Sequence, residues 1–590
     1  MDTTRPAAPA FALNSVMAIA GVAVLAALVS LPVWGDDYFV VIGTRILVYW
    51  CLISGLNLVV GFAGQLAIGY VAVLAVGGYT ASALCFHLGL DPFLSMAAAA
   101  TLCALAGLIV GIPVLRLRTF YFAVATLGAA QIVTQIAFSW TSVTGGGIGI
   151  PGPMFPGALG SVSGLYYVCM VAAIVCTWLT TNLAFSRYGR ELVALRDAGV
   201  AAASCGLSNR RSLVPVLIFA GALAGVAGTL YASVQTYITP EAFNFDLSLL
   251  FFVAILVGGR GTVLGPALAT VILTILPELS VDLAAWSTLI HAALLLGITL
   301  LVPGGIGEGL RKLTEPPLPE SRVIRIRPEL ARDHDRTEKA PLEASEISIS
   351  FGGLKAVDAV SLSVVPGEVH GLIGPNGSGK TTTLNIICGF NTASEGAVRI
   401  GSERLAGGVP QEAAAKGIAR TFQTPKVVGE ATVLQNVLIG AQSPSTGFVS
   451  AALGLPAQRQ DERAMRERGM AALRTVGLDG FADLSCERLQ HSELRFLEIA
   501  RALMMEPRFL LLDEPAAGLS RDEIERLDEL IAHLARDAGI GVLMVEHHAD
   551  LIFKVCDRIT VLNLGAVLAS GTADEVRTNK EVQNAYLGTG

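Results

Sequence analysis

The stretch GLIGPNGSGKTTT, residues 371–383, carries the strongest chemical signal in the chain. An apolar run from Val369 to Ile373 leads into Gly374-x4-Gly379-Lys380-Thr381, and a helical pattern follows. A strand, a glycine-rich turn and a helix in that order make a phosphate-binding loop. The loop Gly374, Asn376, Gly377, Ser378, Gly379 can turn backbone N–H groups onto phosphates, and the helix N-terminus adds a positive dipole end. Lys380 is placed for the β and γ oxygens, Thr381 for Mg²⁺, and Thr382 for the phosphates beside them.

Four other positions could act on the same phosphates. FLLLDE ends an apolar run with Asp513, placed to hold Mg²⁺ through water, and Glu514, placed as general base on the attacking water. A second apolar run, IGVLMVEH, ends at His547, where a γ-phosphate would lie if the two runs are neighbouring strands. Gln423 stands in a turn region before Pro425, a weak signal taken alone. Phe351 can stack on adenine, with a core phenylalanine as the competing reading.

The elements that must position these groups differ sharply between the halves of the chain. Of 590 residues, 53% are hydrophobic and 15% charged, against roughly 25% charged in an average soluble protein. The deficit is concentrated before Lys312, the first lysine. Apolar runs there predict about ten spans, near 11–34, 39–60, 65–86, 93–115, 119–138, 164–185, 213–235, 247–258, 265–277 and 284–303. Most have the roughly 20 residues that cross a bilayer core. The first is too long for a signal peptide and reads as a retained anchor. The short eighth and ninth flank GGRGTVLGP, read either as a broken membrane segment or as a tight turn. Arg116, Arg118, Arg187, Arg190, Arg196, Arg210, Arg211, Arg311 and Lys312 fall in loops on one side, and the opposite loops hold no Lys or Arg. That bias predicts both termini in the cytoplasm. Arg45 is expected to snorkel from the outer end of its span. The glycines of GALAGVAG, at 221, 225 and 228, predict close helix packing. Nine scattered cysteines without a CxxC pair read as packing residues, and a net charge of −7 gives no sign of a nucleic-acid partner.

The chain therefore divides into a helical membrane bundle over 1–304, a linker over 305–342, and an α/β phosphate-loop domain with a helical subdomain over 343–590. The linker is rich in proline and charge and reads as an extended tether. The loop 186–212 reads as a short helix followed by Ala201, Ala202 and Gly206. It is either a solvated loop or a docking surface for the nucleotide domain. Its VAAASCG resembles the E-A-A-x-x-x-G element of bacterial import permeases, with Val200 at the position of the acid.

In order and spacing, Phe351, the loop 374–381, Gln423, the helix from Leu494, Asp513-Glu514 and His547 resemble the nucleotide-binding domain of ATP-binding-cassette transporters. LEIARALM, LLDEPAAGL and NAYLG are similar, more narrowly, to the ATP-binding subunit of the high-affinity branched-chain amino acid importers. GLNLVVGFAGQLAIGYVAVLAVGGYT, LRLRTFYFAVATLG, TGGGIGIPG and LVPGGIG resemble a permease subunit of the same systems. Two subunits that are usually separate stand here in one chain. The resemblance implies ATP and Mg²⁺ as cofactors, with Thr381, Gln423 and Asp513 around the metal. It implies hydrolysis by Glu514 with His547 and Gln423 at the γ-phosphate, and adenine on Phe351. It further implies ATP-driven uptake of branched-chain or related amino acids, or small amide-like solutes, across a bacterial inner membrane. The implied partners are a second permease, a second ATP-binding subunit, an external solute-binding protein and membrane lipid.

One motif departs from the pattern. LQHSE, residues 489–493, stands where the family has an LSGGQ-type signature. Gln490 takes the serine's place, Ser492 a glycine's, and Glu493 the glutamine's. The half-site this chain offers a partner's ATP is then degraded while its own phosphate loop is whole. Glu493 is expected to bring negative charge toward that phosphate, unless Ser492 compensates. An exporter half and a membrane-tethered ATP-binding regulator with little turnover are the competing functions.

Overall fold

A computed structural model of the chain describes residues 26–114, 119–279, 304–319, 340–441, 446–547 and 549–587, with isolated positions between these stretches. It forms two compact units. The first comprises 1–192, 209–315 and 448–454, and the second 193–208, 316–447 and 455–590.

The first unit is helical. Its elements are α1 (Asp37–Asn57), α2 (Val71–Leu88), α3 (Pro92–Val114), α4 (Thr119–Ser139), α5 (Val162–Ala184), the start of α6 (Arg187–Asp197), α8 (Asn209–Gln235), α9 (Phe245–Gly258), α10 (Leu264–Ile275) and α11 (Gly305–Thr314). Among the described residues seven helices are long and apolar enough to cross a membrane, and Leu264–Glu278 is a shorter apolar helix. The count of ten is therefore not reached. Twelve of the twenty residues of the span expected at 284–303 lie outside the described residues, and so does all of 11–25 of the first, of which 26–34 is helical.

Local chemistry explains where the helices depart from expectation. α1 runs on through a π-helical turn, Leu58–Phe62, and α2 starts at Val71 rather than near 65. Gly64 has a left-handed backbone, which ends the helical path. GGRGTVLGP is a tight turn between α9 and α10, and Asn57 Nδ2 donates to its Thr262 carbonyl at 2.7 Å. Arg45 does not snorkel alone. Its Nη1 meets Glu278 Oε1 at 2.5 Å, and Tyr38 donates its hydroxyl to the other carboxylate oxygen at 3.0 Å. Pairing removes the cost of a bare charge among apolar helices. The small-residue stripe of α8 does allow close packing: a Cβ on Gly221 would lie 2.3 Å from the Cys103 carbonyl oxygen, and one on Gly228 2.4 Å from that of Leu74.

The linker is not a bare tether. Residues 305–314 are helical, with an i,i+4 pair between Glu308 and Lys312. Further on, Ile324 is buried in the core of the second unit.

That second unit is an α/β cassette with two sheets. A six-stranded sheet has the order β10 (Ala566–Thr572), β9 (Arg558–Asn563), β3 (Val369–Ile373), β8 (Gly541–Val545), β7 (Phe509–Asp513), β6 (Ile418–Arg420). All its pairings are parallel except β9 with β10. β3, β7 and β8 are buried along their whole length, the pattern of a parallel sheet covered on both faces. Register places Val545 opposite both Leu372 and Asp513, so three strands end together at one edge. A four-stranded antiparallel sheet has the order β2 (Leu354–Val364), β1 (Leu342–Phe351), β4 (Glu395–Ile400), β5 (Glu403–Arg404).

His370 in β3 is buried, and its Nε2 meets Thr560 Oγ1 at 2.9 Å. Burial pushes its pKa down to about 4. The unfolded chain takes up this proton below about 6.5 and the folded cassette refuses it, so the contribution is whole above pH 6.5 and is lost between 6.5 and about 4. The loss reaches roughly 3 kcal/mol. Thermal unfolding of the parent chain and of His370→Gln is expected to diverge across that window, the variant having the flatter pH dependence. Parallel curves would remove the histidine from the acid lability of the cassette.

Candidate functional site

The loop after β3 takes the shape that its glycines permit. Gly374 has φ 155°, and a Cβ there would lie 2.2 Å from the Leu562 carbonyl oxygen. Gly379 has φ 97° and opens α12 (Lys380–Ile387). Lys380 folds over the loop, donating to the carbonyls of Gly374 at 2.8 Å and Pro375 at 2.9 Å. Burial pushes its ammonium pKa down, against the pull of Glu514 and Asp513. Ser378 Oγ is buried with no protein partner, a group waiting for an acceptor. Asn376, Gly377 and Thr381 are exposed on the loop and the first turn of α12, and Thr382 is half-buried.

The three residues expected to act on the γ-phosphate come together. Gln423 Nε2 donates to Glu514 Oε2 at 2.9 Å, and His547 Nε2 lies 3.0 Å from Glu514 Oε1. Strand order causes this: Glu514 and His547 follow the ends of adjacent parallel strands, β7 and β8. Glu514 holds a left-handed backbone, φ 49°, and its N–H donates to Val545 O at 2.9 Å. A non-glycine residue in that region stores strain of order 1–3 kcal/mol, a cost found most at functional positions.

Asp513 is buried. Arg420 Nη2 donates to its Oδ2 at 2.8 Å, while Oδ1 has no protein partner. Arg420 also donates to Asn385 Oδ1 at 2.5 Å and lies over the Phe422 ring, 5.3 Å from its centre. Phe351 ends β1 with its ring half exposed, and it pairs with Leu354 across a Gly352-Gly353 turn. Two residues beyond Leu354, the Ala356 carbonyl faces Gly379 of the loop. The exposed ring is not a core phenylalanine.

Sequence reading missed the side chains that hold Gln423. On α16 (His491–Leu503), Arg495 donates to the carbonyls of Phe422, at 2.6 Å, and Gln423. Glu498 accepts from the N–H groups of Lys426 at 2.9 Å and Phe422 at 3.4 Å. Arg501 Nη1 donates to the Lys426 carbonyl at 2.6 Å, and its Nη2 to Glu498 at 3.1 Å. All three side chains are buried. The signal was present in LRFLEIAR: three charges at i, i+3 and i+6 on a helix whose other positions are mostly apolar.

The loop 193–208 belongs to the same unit. Its helix α7 (Gly199–Ser204) buries Ala201 and Ala202 in one core with Ala414, Phe422 and Val428. Gln411 Nε2, on α13 (Pro410–Ala415), donates to the Leu207 carbonyl at 3.0 Å, and Arg196 lies 3.5 Å from Glu430. Gly206 takes φ 84° at the turn after α7, and Val200 is exposed. These contacts are those of a docked loop, not a solvated one.

At the rewritten signature, Gln490 is the N-cap of α16 and Glu493 does not project outward. Its carboxylate is 1% exposed, accepts from the Gln490 N–H at 2.7 Å, and lies 3.6 Å from Arg322 of the linker. Arg322 also donates to the Arg488 carbonyl at 3.3 Å, and Arg488 to that of Pro316 at 2.8 Å. The expected negative charge facing a phosphate is therefore absorbed by helix capping and an arginine. Ser492 is buried.

A family model described as the permease component of the branched-chain amino acid transport system matches residues 38–303. An ABC transporter model matches 357–517, and one for branched-chain amino acid ATP-binding cassette transporters matches 566–590. The chain is 41% identical over 248 residues to the high-affinity branched-chain amino acid transport ATP-binding protein BraF of Pseudomonas aeruginosa, covering 42% of this chain and 97% of that protein. It is 39% identical, over the same shares, to the corresponding LivG of Escherichia coli K12. A crystal structure of a nucleotide-free ATP-binding cassette from an ABC transporter is 33% identical, at a TM-score of 0.37 over 42% of this chain and 98% of that one.

The buried clamp generates a test. Arg495→Met removes the donors to Phe422 O and Gln423 O. Nucleotide hydrolysis is expected to fall about tenfold, the equivalent of roughly 1.4 kcal/mol of lost positioning. Affinity for a fluorescent ATP analogue should stay within about twofold, because the phosphate loop is untouched. Equal loss of both would mean that the arginine supports the fold rather than Gln423.

Proposed function

We propose that this chain, which belongs to the branched-chain amino acid ATP-binding-cassette transporter family and joins permease and ATPase in one polypeptide, is one half of a heteromeric importer. ATP hydrolysis by its cassette is coupled to transport. Its cargo is a branched-chain or related amino acid, or a small amide-like solute, moved into the cytoplasm of a bacterium across the inner membrane with both termini inside. The observation that carries this reading is the seating of α7, from the permease half, in the cassette core beside the loop that presents Gln423. An anchored regulator without turnover has no need of a permease loop built into its catalytic core. The intact trio of Gln423, Glu514 and His547 opposes that second reading too.

The residue roles proposed are those that the motifs and the family resemblance imply, and the geometry is compatible with them. Gly374, Asn376, Gly377, Ser378 and Gly379 wrap the phosphates with backbone and hydroxyl donors, and Thr382 extends that set. Lys380 leaves its two carbonyl partners for the β and γ oxygens. Phe351 takes the adenine. Mg²⁺ fits the donors present: Thr381, Gln423 and the unpartnered Asp513 Oδ1 would hold it directly or through water. When bound it neutralises charge on the β and γ oxygens. Glu514 takes the proton from the attacking water, Gln423 and His547 orient that carboxylate and the γ-phosphate, and Arg420 holds Asp513 in place. Ala201, Ala202 and Gly206 receive the movement of the 422–426 loop and pass it to the permease.

The partners follow from the same family architecture: a second permease, a second cassette and an external solute-binding protein. The rewritten signature makes the two ATP sites unequal. In the site closed by this chain, Ser492 is buried and Gln490 replaces a serine, so the donor set offered to a partner's γ-phosphate is changed. That site should hold ATP and turn it over slowly. Lys380 lies in the other site, closed by the partner's signature.

Two outcomes test this. In reconstituted vesicles with inside and outside fixed, Glu514→Gln should abolish uptake while ATP still binds, since losing a general base costs about 10²–10⁴-fold. Full uptake would remove Glu514 from that role, and outward pumping by the parent would overturn import. In the heteromeric complex, Lys380→Ala should stop hydrolysis, and the matching change in the partner should matter less. Equal loss from the two lysines would mean symmetric sites.

A further inference from the structure

α14 (Phe448–Ala452) comes from the cassette half of the sequence, yet it is packed in the membrane unit. Asn182, near the end of α5, donates its Nδ2 to the Ala452 carbonyl at 3.0 Å. The Phe448 ring lies 5.1 Å from that of Tyr188 and 5.9 Å from that of Phe219. A Cβ on Gly454 would lie 2.8 Å from Asn182 Nδ2, so the chain passes directly over that side chain.

The face of α5 that receives this segment is its bare one. Val171, Ile174, Val175 and Trp178 are exposed along a helix of membrane-spanning length and apolarity. At 100° per residue these positions, with 182 and 185, fall within an arc of about 100°. Asn182 thus continues a stripe that faces acyl chains, and Phe185, 69% exposed, ends it. The segment 448–454 lies on that stripe at the end of the span.

The segment has two faces. Phe448 and Ala452 turn toward the helices. Val449 and Leu453, one turn apart, point away and are 68% and 39% exposed. Nine residues, 447–455, carry no charge, while the α15 helix that follows (Pro456–Val476) is dense in Arg and Glu. An apolar pair facing water from a charged domain has no stabilising role; beside a lipid-facing stripe it continues an apolar surface.

We propose that residues 448–454 form a membrane foot: Val449 and Leu453 enter the bilayer at the boundary between headgroups and acyl chains, beside the end of α5 that carries Asn182. The ligand is the lipid surface. The cassette half thereby touches the membrane through its own sequence, at a place separate from α7.

Cysteines placed at Val449, at Leu453 and, as an exposed control on α15, at Ala464 are labelled with an environment-sensitive fluorophore in the full chain. The labelled chain is assembled with its partner subunits in proteoliposomes, the parent chain giving the labelling background. Lipids with a doxyl group near the headgroup end of the acyl chain should quench the labels at 449 and 453 about twofold or more above the control, and aqueous iodide should quench only the control strongly. Iodide quenching at 449 and 453 equal to that at 464 would overturn the foot. Shielding of both labels from lipid and iodide alike would also overturn it, assigning the surface to a second permease. Two reporter positions keep the test decisive if one label disturbs packing.

Discussion

A carboxylate at Glu498 sits where no isolated charge could stay. Burial pushes its pKa up, while Arg501 and the N–H groups of Lys426 and Phe422 pull it down. A buried charge persists only when its partners surround it, and removing one leaves the rest uncompensated. This constraint ties α16, which begins at the rewritten signature, to the loop that ends on Gln423. Arg495 and Arg501 add three carbonyl contacts to the same loop. Cys205, after α7, is buried in the same core as Phe422, Phe496 and Ala500. α16, the loop 422–426 and the segment 193–208 therefore pack into one core. The contiguity is structural; that it carries coupling energy rests on the functional tests above.

Much of the cassette was legible because its signals are local. A phosphate loop needs a strand, a set glycine spacing and a helix, all within fifteen residues. Asp513, Glu514 and His547 were legible because apolar runs that end in polar residues mark the edge of a buried parallel sheet. Other features lay beyond sequence because their meaning depends on a distant partner. Arg45 looked like a snorkelling residue, and its carboxylate partner is 233 residues away. Arg420, Arg495 and Glu498 have the composition of a wet surface, and only the tertiary fold shows them inside. Glu493 was read as a charge aimed at phosphate, but N-capping geometry turned it back on its own helix. Spans were less legible at their ends, where a π-turn and a left-handed glycine, rather than hydropathy, set the boundary of α1 and α2.

The linker shows how composition can mislead. Proline and charge over 305–342 resemble an unstructured tether, yet Pro316, Arg322 and Ile324 are used as contacts on the cassette. Arg322 is also what balances Glu493. Glu493 and Arg322, 3.6 Å apart, form a pair in which the linker supplies the cation to an acid of α16.

The two halves exchange segments. Residues 193–208, from the permease sequence, are core of the cassette, and residues 448–454, from the cassette sequence, are part of the helical unit. Each half thus carries a plug for the other that owes nothing to the peptide between them. Covalent fusion is then not the glue of this assembly. It acts as a concentration device: joining two parts in one chain makes their meeting intramolecular, at an effective concentration of order millimolar for a short link. Joined in one polypeptide, the permease and this cassette are made in equal number.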